Sequence, residues 1–106
     1  MVSSPAHNAP WTTEEDTRLN GCSVVFLKRT FALPWAHFLY AQGDDEEVQA
    51  FWTTHQLEIR GAGLRPLLAE FASQRLAAIF EAPRTARFGQ SGPIVAEMNI
   101  TKLEEI

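Results

Sequence analysis

VQAFWTTHQLEIRGAGLRPLLAEFASQRLAAIFEAP, residues 48–83, holds two opposite periodicities side by side. From Val48 to Gly61 the residues alternate. Phe51, Thr53, His55, Leu57 and Ile59 share one face, and Trp52, Thr54, Gln56, Glu58 and Arg60 share the other. A period of two predicts a half-buried strand. From Leu67 the spacing changes: Leu67, Leu68, Phe71, Ala72, Leu76, Ile79 and Phe80 recur at helical intervals. Gly61 and Gly63 let the chain turn between the two, Pro66 suits a first helical turn, and Pro83 stops the run.

The flanking segments extend this pattern. CSVVFLKRTFAL at 22–33 is rich in β-branched and aromatic residues and predicts a strand over about 23–31. Pro34 interrupts it, and WAHFLYAQ at 35–42 reads as a second strand. Gly43-Asp44-Asp45-Glu46 reads as the turn to the third. IVAEMNIT at 94–101 alternates again and predicts a final strand after a loop at 84–93. The expected order is β-β-β-α-β: an α+β domain over 22–106, with a largely antiparallel sheet and one main helix on one face. Residues 1–21 read as a flexible N-terminal segment, with a helical turn where Thr12 and Glu15 have capping-box spacing.

PWTTEEDTRL at 10–19 resembles the opening of a Myb/SANT repeat. That resemblance spans ten residues and implies three helices held by regularly spaced tryptophans, with a basic third helix in the DNA major groove. The rest of the chain departs from it. Trp11, Trp35 and Trp52 are unevenly spaced, SVVFLKRTF reads as strand, and Asp44-Asp45-Glu46-Glu47 precedes Trp52 where a recognition helix needs bases. The chain is not read as a Myb repeat.

Composition narrows the class further. The 106 residues are 45% apolar and carry a net charge of −4, which suits one globular domain and disfavours non-specific phosphate binding. The single cysteine, Cys22, fits a reducing compartment and permits no internal disulfide. No apolar run approaches the length of a membrane span, and the N-terminus is unlike a secretory signal, so a cytoplasmic location is expected. Charge is segregated along the chain. Residues 1–58 hold three cations against eight acids, whereas Arg60, Arg65, Arg75, Arg84 and Arg87 face only Glu70 and Glu81 over 59–92.

No nucleophile elbow, phosphate loop, HExxH or CxxC occurs, so the sequence supports no catalytic, metal-ligating or cofactor-binding set. Gly61-Ala62-Gly63 stands between strand and helix like an anion-binding loop, but Pro66 replaces the third glycine of the dinucleotide pattern. Arg75, if helical, projects among Leu68 and Phe71, where a guanidinium either snorkels outward or meets a carboxylate, a carbonyl cluster or an anionic ligand. His55 lies on the apolar face of its strand.

The leading expectation is a non-enzymatic interaction domain that forms a homo-oligomer or binds a protein partner. One alternative is nucleic-acid or other polyanion binding through the arginine-bearing segment 60–87, with Arg60, Arg65, Arg75, Arg84 and Arg87. A second is a small-molecule or enzymatic pocket near His55 and Arg75.

Overall fold

The structure, a computed structural model, describes residues 10–14, 19–82 and 92–103. It is α+β and mostly antiparallel, with one α-helix among the described residues. The strands form two sheets rather than one. Strands β1 (Trp11–Thr13), β2 (Gly21–Val25), β3 (Thr30–Pro34) and β7 (Leu76–Phe80) make the first, in the order β1-β7-β2-β3. Strands β4 (Phe38–Gly43), β5 (Glu47–Trp52), β6 (His55–Ala62) and β8 (Ile94–Lys102) make the second, in chain order. Helix α1 (Arg65–Ser73) packs against β4, β5 and β7. The expected β-β-β-α-β order is thus replaced by a longer one.

Four local features account for the difference. The stretch 22–33 folds as a hairpin, β2 on β3, with its tip at residues 26–29. A single 3-10 turn at Trp35–His37 carries the chain from the first sheet to the second. The long strand expected at 48–61 is broken at Thr53-Thr54. Val48 pairs with Ile59 and Ala50 with Leu57, so Val48, Ala50 and Trp52 point inward while Phe51 points out. The continuous face that grouped Phe51 with Leu57 and Ile59 does not exist, because a two-residue turn exchanges odd for even.

The fourth feature is the end of the helix. Helix α1 stops at Ser73, and Gln74 takes a left-handed φ of 58° at its C-cap, its N–H donating to the Phe71 carbonyl. Leu76–Phe80 is strand. Thr12 pairs with Ala78 and Thr13 with Leu76, so Ala77 is an extra residue in β7. That bulge turns both Leu76 and Ile79 into the core. Their spacing of three, which mimics helical periodicity, comes from a strand irregularity.

Trp11–Thr13, expected to open a helical turn, forms an edge strand beside β7. The tail at 1–9, Glu15 and Asp16 of the presumed turn and most of the 84–93 loop lie outside the described residues.

Between the sheets sits one apolar core. Val24, Leu33 and Ile79 enter from the first sheet, Val48, Trp52, Leu57 and Ile59 from the second, and Leu67 and Phe71 from the helix. Trp35, Phe38, Trp52 and Phe71 form a four-ring cluster in which every pair of centroids lies 5.1–6.2 Å apart. The Trp52 indole N–H donates to the Pro34 carbonyl at 2.9 Å. The Trp35 indole N–H is buried with no acceptor among the described residues.

Candidate functional site

Each residue marked in the sequence has a definite place. Arg60 is exposed on the outer face of β6. Its guanidinium lies 3.8 Å from Glu47 and 3.9 Å from Glu58. Arg65 opens α1 at the surface, and its charge reaches Asp44. Of the three described arginines of that segment, Arg60 and Arg65 stand beside carboxylates. Arg84 and Arg87 lie outside the described residues.

Arg75 is not on a helix. The left-handed Gln74 turns the chain before it, the side chain is exposed, and its carbonyl accepts the amide of Glu14 at 2.9 Å. The expected helical position within an apolar stripe does not arise, because the helix ends at Ser73. His55 is half-buried at the start of β6, with Nδ1 2.8 Å from the Thr54 hydroxyl. That contact accounts for one ring nitrogen without a ligand.

The glycine pair serves the backbone. A side chain on Gly61 would collide with the Ile94 carbonyl, because β6 and β8 shift register there. Gly63 holds a φ of +68° before the helix. The helix start is already occupied: the Asp45 carbonyl accepts the Leu64 amide at 2.9 Å, and its carboxylate accepts the Arg65 amide at 3.1 Å. The acidic run is a hairpin turn. Asp44 Oδ1 accepts the amides of Glu46 and Glu47, which hold its carboxyl below the usual range. Cys22 is buried, and loss of solvent pushes its thiol up to about 12, so it is no nucleophile. Among the described residues no cluster of three metal-ligating side chains occurs.

Two surfaces were not marked in the sequence. The outer face of the first sheet shows the rows Thr12–Ala78–Ser23–Ala32 and Phe80–Val25–Thr30, with no charged residue in either. Leu27 is 57% exposed at the hairpin tip and Phe80 is 38% exposed beside it on β7.

The outer face of the second sheet is the opposite in character. It carries the rows Tyr40–Phe51–Gln56–Thr101, Gln42–Gln49–Glu58–Asn99 and Glu47–Arg60–Glu97. Neither face could be assembled without the register. The one available signal was Tyr40 and Gln42, spaced by two and mirrored by Gln49 and Phe51 about the Asp44-Asp45 turn.

Among the described residues no helix is long and apolar enough to cross a membrane. No family model, no curated protein and no solved structure matches the chain.

Proposed function

We propose that this chain is a small non-enzymatic interaction domain that associates with a second copy of itself through the outer face of its first sheet. The observation that carries the reading is the uncharged pair of rows that includes Phe80 and Val25, with exposed Leu27 at the hairpin tip beside Lys28 and Arg29, in a chain of net charge −4. Two such sets of rows can meet without opposing like charges, whereas the second sheet would set Glu47, Glu58 and Glu97 against their copies. Large exposed apolar side chains gathered on one surface are a common mark of contact sites.

Magnitude sets the strength expected. Four strands about 4.8 Å apart and roughly five residues long give a face of about 300 Å². A standard interface covers about 800 Å² per partner. Association through this face alone is therefore reversible, of roughly micromolar affinity or weaker. The compartment this reading assumes is the cytoplasm.

Sedimentation velocity over a range of concentrations tests it. The expected result is a concentration-dependent shift toward dimer that Phe80→Glu or Leu27→Glu removes. A monomer at every concentration overturns the reading. Polyanion binding is less favoured, because Arg60 and Arg65 stand beside carboxylates.

A further inference from the structure

We propose that the outer face of the second sheet binds a neutral saccharide, with Tyr40 and Phe51 as the platform and Gln42 and Gln49 as the polar contacts. This inference concerns a different face and stands apart from the self-association reading.

The geometry begins with the β4–β5 hairpin. Its register sets Tyr40 opposite Phe51 and Gln42 opposite Gln49. The Tyr40 and Phe51 rings are stacked, with centroids 4.8 Å apart and planes 24° from parallel. Tyr40 is 51% exposed and Phe51 half-buried. One row along, about 7 Å away, the Gln42 amide donates to the Gln49 carbonyl oxygen at 3.0 Å. That bond orients both amides and leaves each with further donors and acceptors unused. An open concavity of about 250 Å³, lined by Gln42, Gly43, Asp44, Glu47 and Gln49, adjoins this amide pair on the side of the β4–β5 turn. It is smaller than the roughly 300–1,000 Å³ of drug-sized pockets and suits a single ring.

The chemistry of the groups selects the ligand class. An aromatic platform takes a flat C–H surface. Side-chain amides and carboxylates take hydroxyls, which both donate and accept. A pyranose ring presents both kinds of surface. Charge excludes the nearest alternatives. Glu47, Glu58 and Glu97 surround the single Arg60 on this face, so phosphates and sulfates are repelled and a nucleic-acid strand is disfavoured despite the aromatic rings. A tight protein hot spot would call for an enclosed apolar centre, and here the centre is a pair of amides.

The test uses the whole chain in affinity electrophoresis through gels containing xylan, laminarin or dextran, followed by amide chemical-shift mapping with short oligosaccharides of whichever retards it. Retardation by at least one polysaccharide is expected, with shifts on Tyr40, Gln42, Gln49 and Phe51. Tyr40→Ala and Gln49→Ala, each checked for native folding, are expected to weaken binding roughly tenfold. Phe80→Glu is expected to leave it unchanged, which separates this face from the self-association face. No retardation by any of the three overturns the proposal, as does binding that survives both substitutions. Retention on heparin or single-stranded RNA in preference to the neutral polymers also overturns it.

Discussion

Asp45 caps a helix that starts twenty residues after it: the Arg65 N–H donates to its carboxylate at 3.1 Å, and the Leu64 N–H to its carbonyl at 2.9 Å. The β4–β5 turn is thereby fastened to the start of α1, where a negative charge also favours the helix dipole. Asp45→Ala is expected to destabilise the fold by about 1 kcal/mol. Asp45→Asn, which keeps an acceptor, is expected to cost less. Urea denaturation of the pair checks both, and equal stability of Asp45→Ala and wild type would show the cap to be energetically idle.

Glu81 joins the sheets in a comparable way. One carboxylate oxygen accepts the Leu27 amide at the hairpin tip at 3.2 Å, and the other accepts the Met98 amide of β8 at 3.3 Å. Glu81→Ala removes both acceptors at once. The expected loss is about 1–2 kcal/mol, held to the lower part of the range for charged hydrogen bonds because Glu81 is only half-buried. Hydrogen exchange gives the sharper reading: the Leu27 and Met98 amides are expected to lose protection together.

Cys22 makes the core sensitive to alkaline pH. Burial raises its thiol from 9.0 to about 12. The folded state therefore keeps a proton that the unfolded chain gives up. Its stabilising contribution is complete below pH 9.0, declines above it and is gone beyond about 12. Cys22→Ala is expected to lower stability at neutral pH through the cavity it leaves, yet to flatten the fall between pH 9 and 11. Native Cys22 is expected to resist thiol reagents at pH 8 until the protein unfolds.

Trp52 is fully buried at the centre of the four-ring cluster and spends its indole N–H on Pro34. Trp52→Phe keeps a ring but strands the carbonyl, at an expected cost of about 1–3 kcal/mol. Trp52→Ala is expected to cost about 3–5 kcal/mol. Against a typical total of 5–15 kcal/mol, that loss leaves a large unfolded fraction near body temperature. Thermal unfolding by circular dichroism distinguishes the two.

The fold class was legible because alternation and helical spacing are written into short windows. HQLEI and IVAEMNI each read as strands, and both are. What failed was continuity. A strand from 48 to 61 and a β5–β6 hairpin differ only at Thr53-Thr54, a pair without the glycine or asparagine that usually marks such a turn. Helix and bulged strand both place apolar residues three apart, so Leu76 and Ile79 joined the wrong element. The candidate faces were less legible still. Arg75 looked informative only while it was helical, and the pairing of Tyr40 with Phe51 exists in the register, not in the local sequence.

The parallel pairing of β2 with β7 joins Ser23–Val25 to Ala78–Phe80. In the second sheet β4, β5 and β6 pair consecutively, so that meander can close over short loops. The first sheet cannot: β2 and β3 form a bare hairpin until the chain beyond the helix arrives. During synthesis the inner edge of β2 therefore stays open while more than fifty residues are added. A truncation before Ala78 leaves that edge without its mate.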